Sequence, residues 1–289
     1  MLLIVALSSC IAQVTSTSDT IPTSRKWTLG AGSIIAVSSS YFLLDQLWYK
    51  NYPRSSFHFF NDNDEWLQMD KAGHAFSSYT LGRHGYDAFK WSGMTENQRL
   101  WIGGNAGLIY LTGIELLDSK SDAWGFSIGD MIANTSGSFL FITQQKLWRE
   151  QRITLKFSYS QTDFAMMNPE QLGRNFQQRL LKDYNGQTYW CSFNVHSFLA
   201  YDAAFPRFIN VAFGYGATEM LHAKTNTFDV NNFQREREFY ISFDADLTRV
   251  QWKRKWMMKT AKFLNFIKIP TPTLEIRSDG KVKMHTLFF

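Results

Sequence analysis

Between Asp70 and Asn134 the chain strings ionisable residues through apolar, glycine-rich sequence. It reads Asp70-Lys71-Ala-Gly-His74, then Glu115-Leu-Leu-Asp118, then Gly125-Phe-Ser127-Ile-Gly-Asp130-Met-Ile-Ala-Asn134. A charge in apolar surroundings is costly unless it is paired or used. The segments that carry these residues must therefore pack together and enclose them. Three clusters on three helical segments predict one shared polar site.

Asp70 and His74 lie four residues apart and share a helix face. The carboxylate can fix the imidazole tautomer and raise its basicity, or both can ligate a metal; in the plainer reading Asp70 caps the helix and His74 bonds across a bundle. Glu115 and Asp118 end an apolar helix, at the unfavourable end of its dipole. They call for compensation by Lys71, a metal or the N-terminus of another helix. Ser127, Asp130, Asn134 and Gly137 form a small polar stripe down an otherwise apolar helix, expected to face inward. The catalytic candidates are accordingly His74, Asp70, Glu115 and Asp130, with Lys71, Asp118, Ser127 and Asn134 as ligand-binding candidates; the residues name no metal and no cofactor. Asp118–Asp122 lacks the glycine and distal glutamate of a calcium loop. Gly125-Phe-Ser127-Ile-Gly129 has the spacing of a nucleophile elbow but no apolar strand before it.

The first residues, Met1 to Gln13, resemble the apolar region and cleavage zone of a secretory signal. Cleavage after Ala12 would leave Gln13 first; Leu7-Ser-Ser-Cys10 instead matches a lipobox whose cysteine is lipidated; a retained anchor is the third reading. The organisation expected is a signal peptide at 1–12, a flexible leader at 13–25, a helical bundle carrying the polar site at 26–150, and a strand-rich part at 151–289. Residues 27–49 are long and apolar enough to span a membrane, although four serines and Asp45 suit a bundle helix equally. Helices are predicted from Met69 to about Phe89, from a capping box at Thr95 to Asp118, and from near Phe126 to Leu147. Gly103-x-x-x-Gly107 allows close helix approach.

After Arg152 the pattern changes to period two. Strands are expected at 153–160, 188–198, 208–216 and 239–247, with a hairpin turn at Asp279-Gly280. Asn168-Pro169-Glu170 opens a short helix to about Lys182. Arg249–Lys268 is a basic amphipathic segment expected to contact membrane through Trp252, Lys255, Trp256, Lys259, Lys262 and Phe263. The fold class is α+β, an N-terminal helical bundle followed by a β-containing part. Cys191 reads as a small apolar strand residue.

These motifs resemble the YfiM-like family, described as predicted periplasmic lipoproteins of unknown function. The resemblance rests on Asp70-Lys-x-x-His74, Glu115–Asp118 and Gly125-Phe-Ser-x-Gly-Asp130-x-x-x-Asn134. Leu181–Trp190, Gly214-Tyr-Gly216 and Ile269-Pro-x-Pro272 are similar to the longer envelope members. Asp70-Lys71, His74, Asp130 and Asn134 also resemble VanZ-like membrane proteins, from which this chain departs in having fewer convincing spans. The resemblance implies an exported, membrane-associated protein on the periplasmic side of a Gram-negative envelope; it supplies no reaction.

The formal charge of +5 in 289 residues is too small and diffuse for nucleic acid; it suits anionic headgroups better. The partners expected are membrane lipid or envelope components. Two functions compete: a structural, assembly or lipid-binding factor whose polar cluster specifies packing, and a membrane-surface enzyme acting on an envelope lipid or glycan through His74 and the carboxylates. An outer-membrane β-barrel ending at Phe289 is the least favoured reading, because few strands are evident and Lys281, Lys283 and His285 share the face of the terminal phenylalanine.

Overall fold

A computed structural model describes residues 23–50, 52–199, 204–224 and 233–289. The signal segment, Cys10, Gln13 and the first part of the leader lie outside the described residues. The chain is α+β, with helices first and a six-stranded antiparallel sheet after them. It forms two compact units, one from Met1–Asn61 and Ser77–Arg149, the other from Asp62–Phe76 and Glu150–Phe289.

The first unit is built on α1 (Thr23–Leu44), most of α2 (Met69–Trp91), α3 (Ala106–Asp118) and α4 (Ile128–Trp148). Thr95 opens the α3 segment with a complete capping box to Gln98. Helical geometry then loosens at Arg99–Gly103 before α3 proper begins. The glycines explain how α2 and α3 cross. A Cβ at Gly107 would lie 2.2 Å from the Ser78 carbonyl, and one at Gly82 would lie 2.3 Å from the Gly104 carbonyl. Only backbone fits there, as expected for small-residue helix contacts. Tyr79 and Tyr86 both meet Phe141 edge-on, and Gln145 bonds to Tyr86, so α2 and α4 run parallel.

The polarity of this unit is inverted relative to a water-soluble bundle. Ile34, Ile35 and Phe42 on α1, Ile109 on α3, and Ile132 and Phe139 on α4 are exposed, whereas Glu115, Asp130, Asn134, Ser78 and Ser138 are buried. Two helical stretches, Thr23–Tyr49 and Glu96–Asp118, are long and apolar enough to cross a membrane.

The second unit is a meander of β1 (Ile153–Tyr159), β2 (Gln187–Asn194), β3 (Ile209–Thr218), β4 (Glu236–Ala245), β5 (Thr271–Arg277) and β6 (Val282–Phe288), each strand paired to the next. The β5–β6 hairpin turns at Gly280, whose φ is +84°. The sheet is strongly curled. Strands lie about 4.8 Å apart, so β1 and β4 would be roughly 14 Å apart if it were flat. Yet Lys156 Nζ on β1 reaches Asp244 on β4 at 2.6 Å, and Trp190 on β2 meets Phe288 on β6 at 6.1 Å between ring centroids. The free edge of β1 is bridged by Phe266–Lys268, with Phe157 donating to Phe266 and Lys268 donating to Phe157.

The concave side of the sheet holds polar and aromatic side chains. The Lys156–Asp244 pair, Ser192, Asn194, Asn210 and Trp190 are buried there. A bulge between Thr271 and Thr273 shifts the β6 register. His285, in regular register with Thr273, meets Glu275 at 2.5 Å, and beyond it the bulge turns Phe288 onto Tyr240. His285 and the C-terminal aromatic therefore enter the interior, while Met284 and Leu287 point outward and are exposed.

The basic segment 249–268 is helical over a shorter range than its composition suggests, as α5 (Lys255–Leu264). Arg249 is drawn away from it into ion pairs with Glu150 and Asp246, both at 3.2 Å.

Candidate functional site

Within the helical unit the carboxylates are organised by helix ends. Glu115, on the last turns of α3, is 1% exposed, and its Oε2 accepts the Ser127 N–H at 3.1 Å. Ser127 is the N-cap of α4, and its hydroxyl accepts the Asp130 N–H at 3.1 Å. A buried carboxylate thus sits at the positive end of another helix, which offsets its unfavourable position at the end of its own. Ser127 is occupied as a cap and is buried. Asp118 accepts the Tyr49 hydroxyl at 2.6 Å. Asn134 lies one turn beyond Asp130 and is fully buried; its carbonyl accepts the Ser78 hydroxyl at 2.6 Å. The stripe Ser127–Asp130–Asn134–Gly137 is buried along its length.

Asp70, Lys71 and His74 lie on the first turns of α2, in the sheet unit. Lys71 Nζ pairs with Asp62 at 2.5 Å and with Asp70 at 2.9 Å. Burial pushes the Asp70 carboxyl above its ordinary range; Lys71 opposes the shift, Asp62 adds to it, and His74 opposes it. The Oδ1 of Asp70 is buried without a hydrogen-bond partner among the described residues. Gly73 sits against the ring of Tyr189, where a Cβ would meet the hydroxyl at 2.8 Å. Burial, and then the Asp70 charge, raise the Tyr189 phenol above its ordinary value.

The turn before α2 is strained. Trp66, Leu67 and Gln68 have φ of 46°, 48° and 63°, three consecutive non-glycine residues in the left-handed region. Such residues cost roughly 1–2 kcal/mol each and persist where the surroundings hold them. Arg237 on β4 holds these, donating to the Leu67 carbonyl at 3.0 Å and to Gln68 Oε1 at 2.6 Å; the Tyr215 hydroxyl donates to the same carbonyl. Arg237 carried no local signal in the sequence, and Tyr215 entered only as the centre of Gly214-Tyr-Gly216. Asp62 did, within the acidic run Asn61-Asp-Asn-Asp-Glu65.

Of the membrane-contact candidates, Trp256, Lys255, Lys259 and Lys262 are exposed. Trp252 is half-buried and donates to the Leu247 carbonyl at 2.8 Å, and Phe263 is half-buried against Phe266.

Residues 58–144 match the family model described as Predicted periplasmic lipoprotein (DUF2279). The matched stretch contains every residue of the Asp70–Asn134 set, and the description is that of the lipoprotein family expected from those motifs. It agrees with an exported, membrane-associated protein of the periplasm. No curated protein and no solved structure matches the chain.

Proposed function

We propose that this chain is a membrane-associated envelope protein with a structural, assembly or lipid-binding role, its helical unit facing lipid and its buried polar cluster specifying helix packing. One observation carries this reading: the unit exposes Ile34, Ile109, Ile132 and Phe139 while enclosing Glu115, Asp130 and Asn134. That is the distribution expected where the solvent is hydrocarbon. Flotation of the purified chain with liposomes tests it. Co-flotation that weakens for Ile132→Glu with Phe139→Glu supports it; a lipid-free, monomeric soluble chain defeats it.

A second reading is favoured by the strained turn ahead of Asp70 and His74 and by the raised carboxyl of Asp70. In it the chain is an enzyme acting on an envelope lipid or glycan through a His/carboxylate site, with His74 as acid/base and Asp70 one turn before it on the same helix. His74→Ala separates the readings. Loss of headgroup turnover in liposomes without a fall in melting temperature supports catalysis; a melting loss equal to that of Glu115→Ala, with no turnover in either chain, supports the structural role.

A further inference from the structure

The curled sheet has the same inversion as the helices, on a separate surface. Its outward side chains form two continuous rows across four strands. Phe213, Ile241, Leu274 and Met284 are register partners in one row, and Tyr215, Phe239, Ile276 and Val282 in the next. Phe213, Phe239, Ile241, Ile276, Val282 and Met284 are exposed, Met284 by 71%. Over β1 and β2 the same face is covered from within the unit, with Phe76 against Phe157 and Tyr189, each at 5.7 Å between centroids. Over β3 to β6 it is exposed except at Tyr215, which packs against the turn at Leu67, and at the half-buried Leu274. A contiguous exposed apolar face is the kind of surface that marks a membrane or partner contact.

We propose that this face is a lipid-contact surface that settles on an anionic phospholipid leaflet and inserts its aromatic and aliphatic side chains into the headgroup–acyl boundary. It deepens the membrane-associated reading by assigning a second surface, and so rests on that reading. Three features select lipid over a protein partner. The concave side already holds the polar groups, including the Lys156–Asp244 and Glu275–His285 pairs, so the apolar side has no core of its own to join. The same unit carries exposed cations: Lys255, Lys259 and Lys262 on α5 beside the exposed Trp256, with Lys281, paired to Asp279, at the β5–β6 turn. Cations beside exposed aromatics are attracted to anionic headgroups. The height of the band also fits a leaflet surface. From Phe239 to Phe243 it is about 14 Å tall at 3.4 Å per residue, half of a hydrocarbon core of ~30 Å. With β6 unpaired to β1 among the described residues, the sheet lies on the bilayer; crossing one would require a closed barrel.

The test uses the full chain with Cys10 and Cys191 replaced by serine and single nitroxide labels at 213, 241 and 284, with 279 at the hairpin turn and 132 on α4 as references. Collisions with oxygen and with a water-soluble nickel chelate are compared with and without phosphatidylglycerol-containing vesicles. The expected result is at least a fivefold loss of nickel access at 213, 241 and 284 on vesicle addition, with oxygen access gained and position 279 unchanged. Nickel access retained at those three positions while 132 is protected overturns the sheet proposal and leaves the helical reading intact. Access retained at 132 as well defeats both. Protection at 213, 241 and 284 without vesicles, in a chain that sediments as a dimer, assigns the face to a second copy and overturns the proposal. Ile241→Glu with Met284→Glu provides a second measure: a circular dichroism spectrum like the parent's and a tenfold weaker vesicle affinity are expected, and unchanged affinity counts against lipid contact.

Discussion

Lys156 and Asp244 pair at 2.6 Å with neither side chain exposed, on strands that two others separate. Asp244 also accepts the Ser192 hydroxyl at 2.7 Å and the Ile269 N–H at 3.2 Å, so the pair fastens the curl of the sheet. Removing one partner of a buried pair typically costs about 3–5 kcal/mol. Lys156→Met should destabilise the sheet by that order in chemical denaturation. Adding Asp244→Asn should recover at least half, because the amide removes the uncompensated charge and keeps an acceptor for Ser192. Equal losses in the single and double variants would show that the charge itself contributes little.

Glu115 is the acceptor for the Ser127 N–H that opens α4. Glu115→Ala leaves that donor buried and unmet, a loss of about 1–3 kcal/mol. Glu115→Gln keeps an oxygen in place and should lose less. Thermal melts of the two variants check this; a glutamine variant as weak as the alanine one would mean that the charge, rather than the hydrogen bond, is what α4 needs.

Glu238 gives the sheet unit a pH dependence. Burial, opposed by the Tyr240 hydroxyl bond and reinforced by Glu275, pushes its carboxyl up to about 7. A raised carboxyl binds more protons folded than unfolded, so stability falls as pH rises from about 4.5 to 7 and is then level. The slope reaches at most roughly 1.4 kcal/mol per pH unit. Glu238→Gln should flatten that slope and raise stability above pH 7. A variant whose stability still fell across this window would place its origin in another group.

Arg237 holds the left-handed turn at Leu67 and Gln68. Arg237→Met should release it, and amide exchange at Trp66–Lys71 should quicken at least tenfold while β1 and β2 keep their protection. Gln68→Gly, which suits a positive φ, should restore part of the protection. Unchanged exchange in the arginine variant would show that other contacts set the turn.

Local chemistry was legible in the sequence where it acts over a few residues. Thr95 with Gln98 marked one helix start and the Asp279-Gly280 turn marked the last hairpin. The alternation Ile153-Thr-Leu-Lys-Phe-Ser-Tyr was visible as a strand, but period two says only that a strand has two faces and not which one lies inside. The six-strand curl placed Lys156 inside and Leu155 outside, a choice made by Asp244 almost ninety residues on. In the same way Gly125-Phe-Ser-Ile-Gly129 has the spacing of a nucleophile elbow, yet its serine caps a helix. The burial of Glu115, Asp130 and Asn134 could be read because each interrupts an apolar helix. Arg237 could not be placed, since its contact to Leu67 spans 170 residues.

That span has a consequence for biogenesis. The groups that bend residues 66–68 are translated, and exported, long after the bend itself. A left-handed run of three side-chain-bearing residues does not persist alone, so a nascent chain reaches Asp70 and His74 with the entry to their helix unformed. Only when β3 and β4 arrive does the helix acquire its beginning. The sheet thereby acts as a completion signal: a chain truncated before Tyr215 should carry Asp70, Lys71 and His74 and still lack the turn that opens their helix.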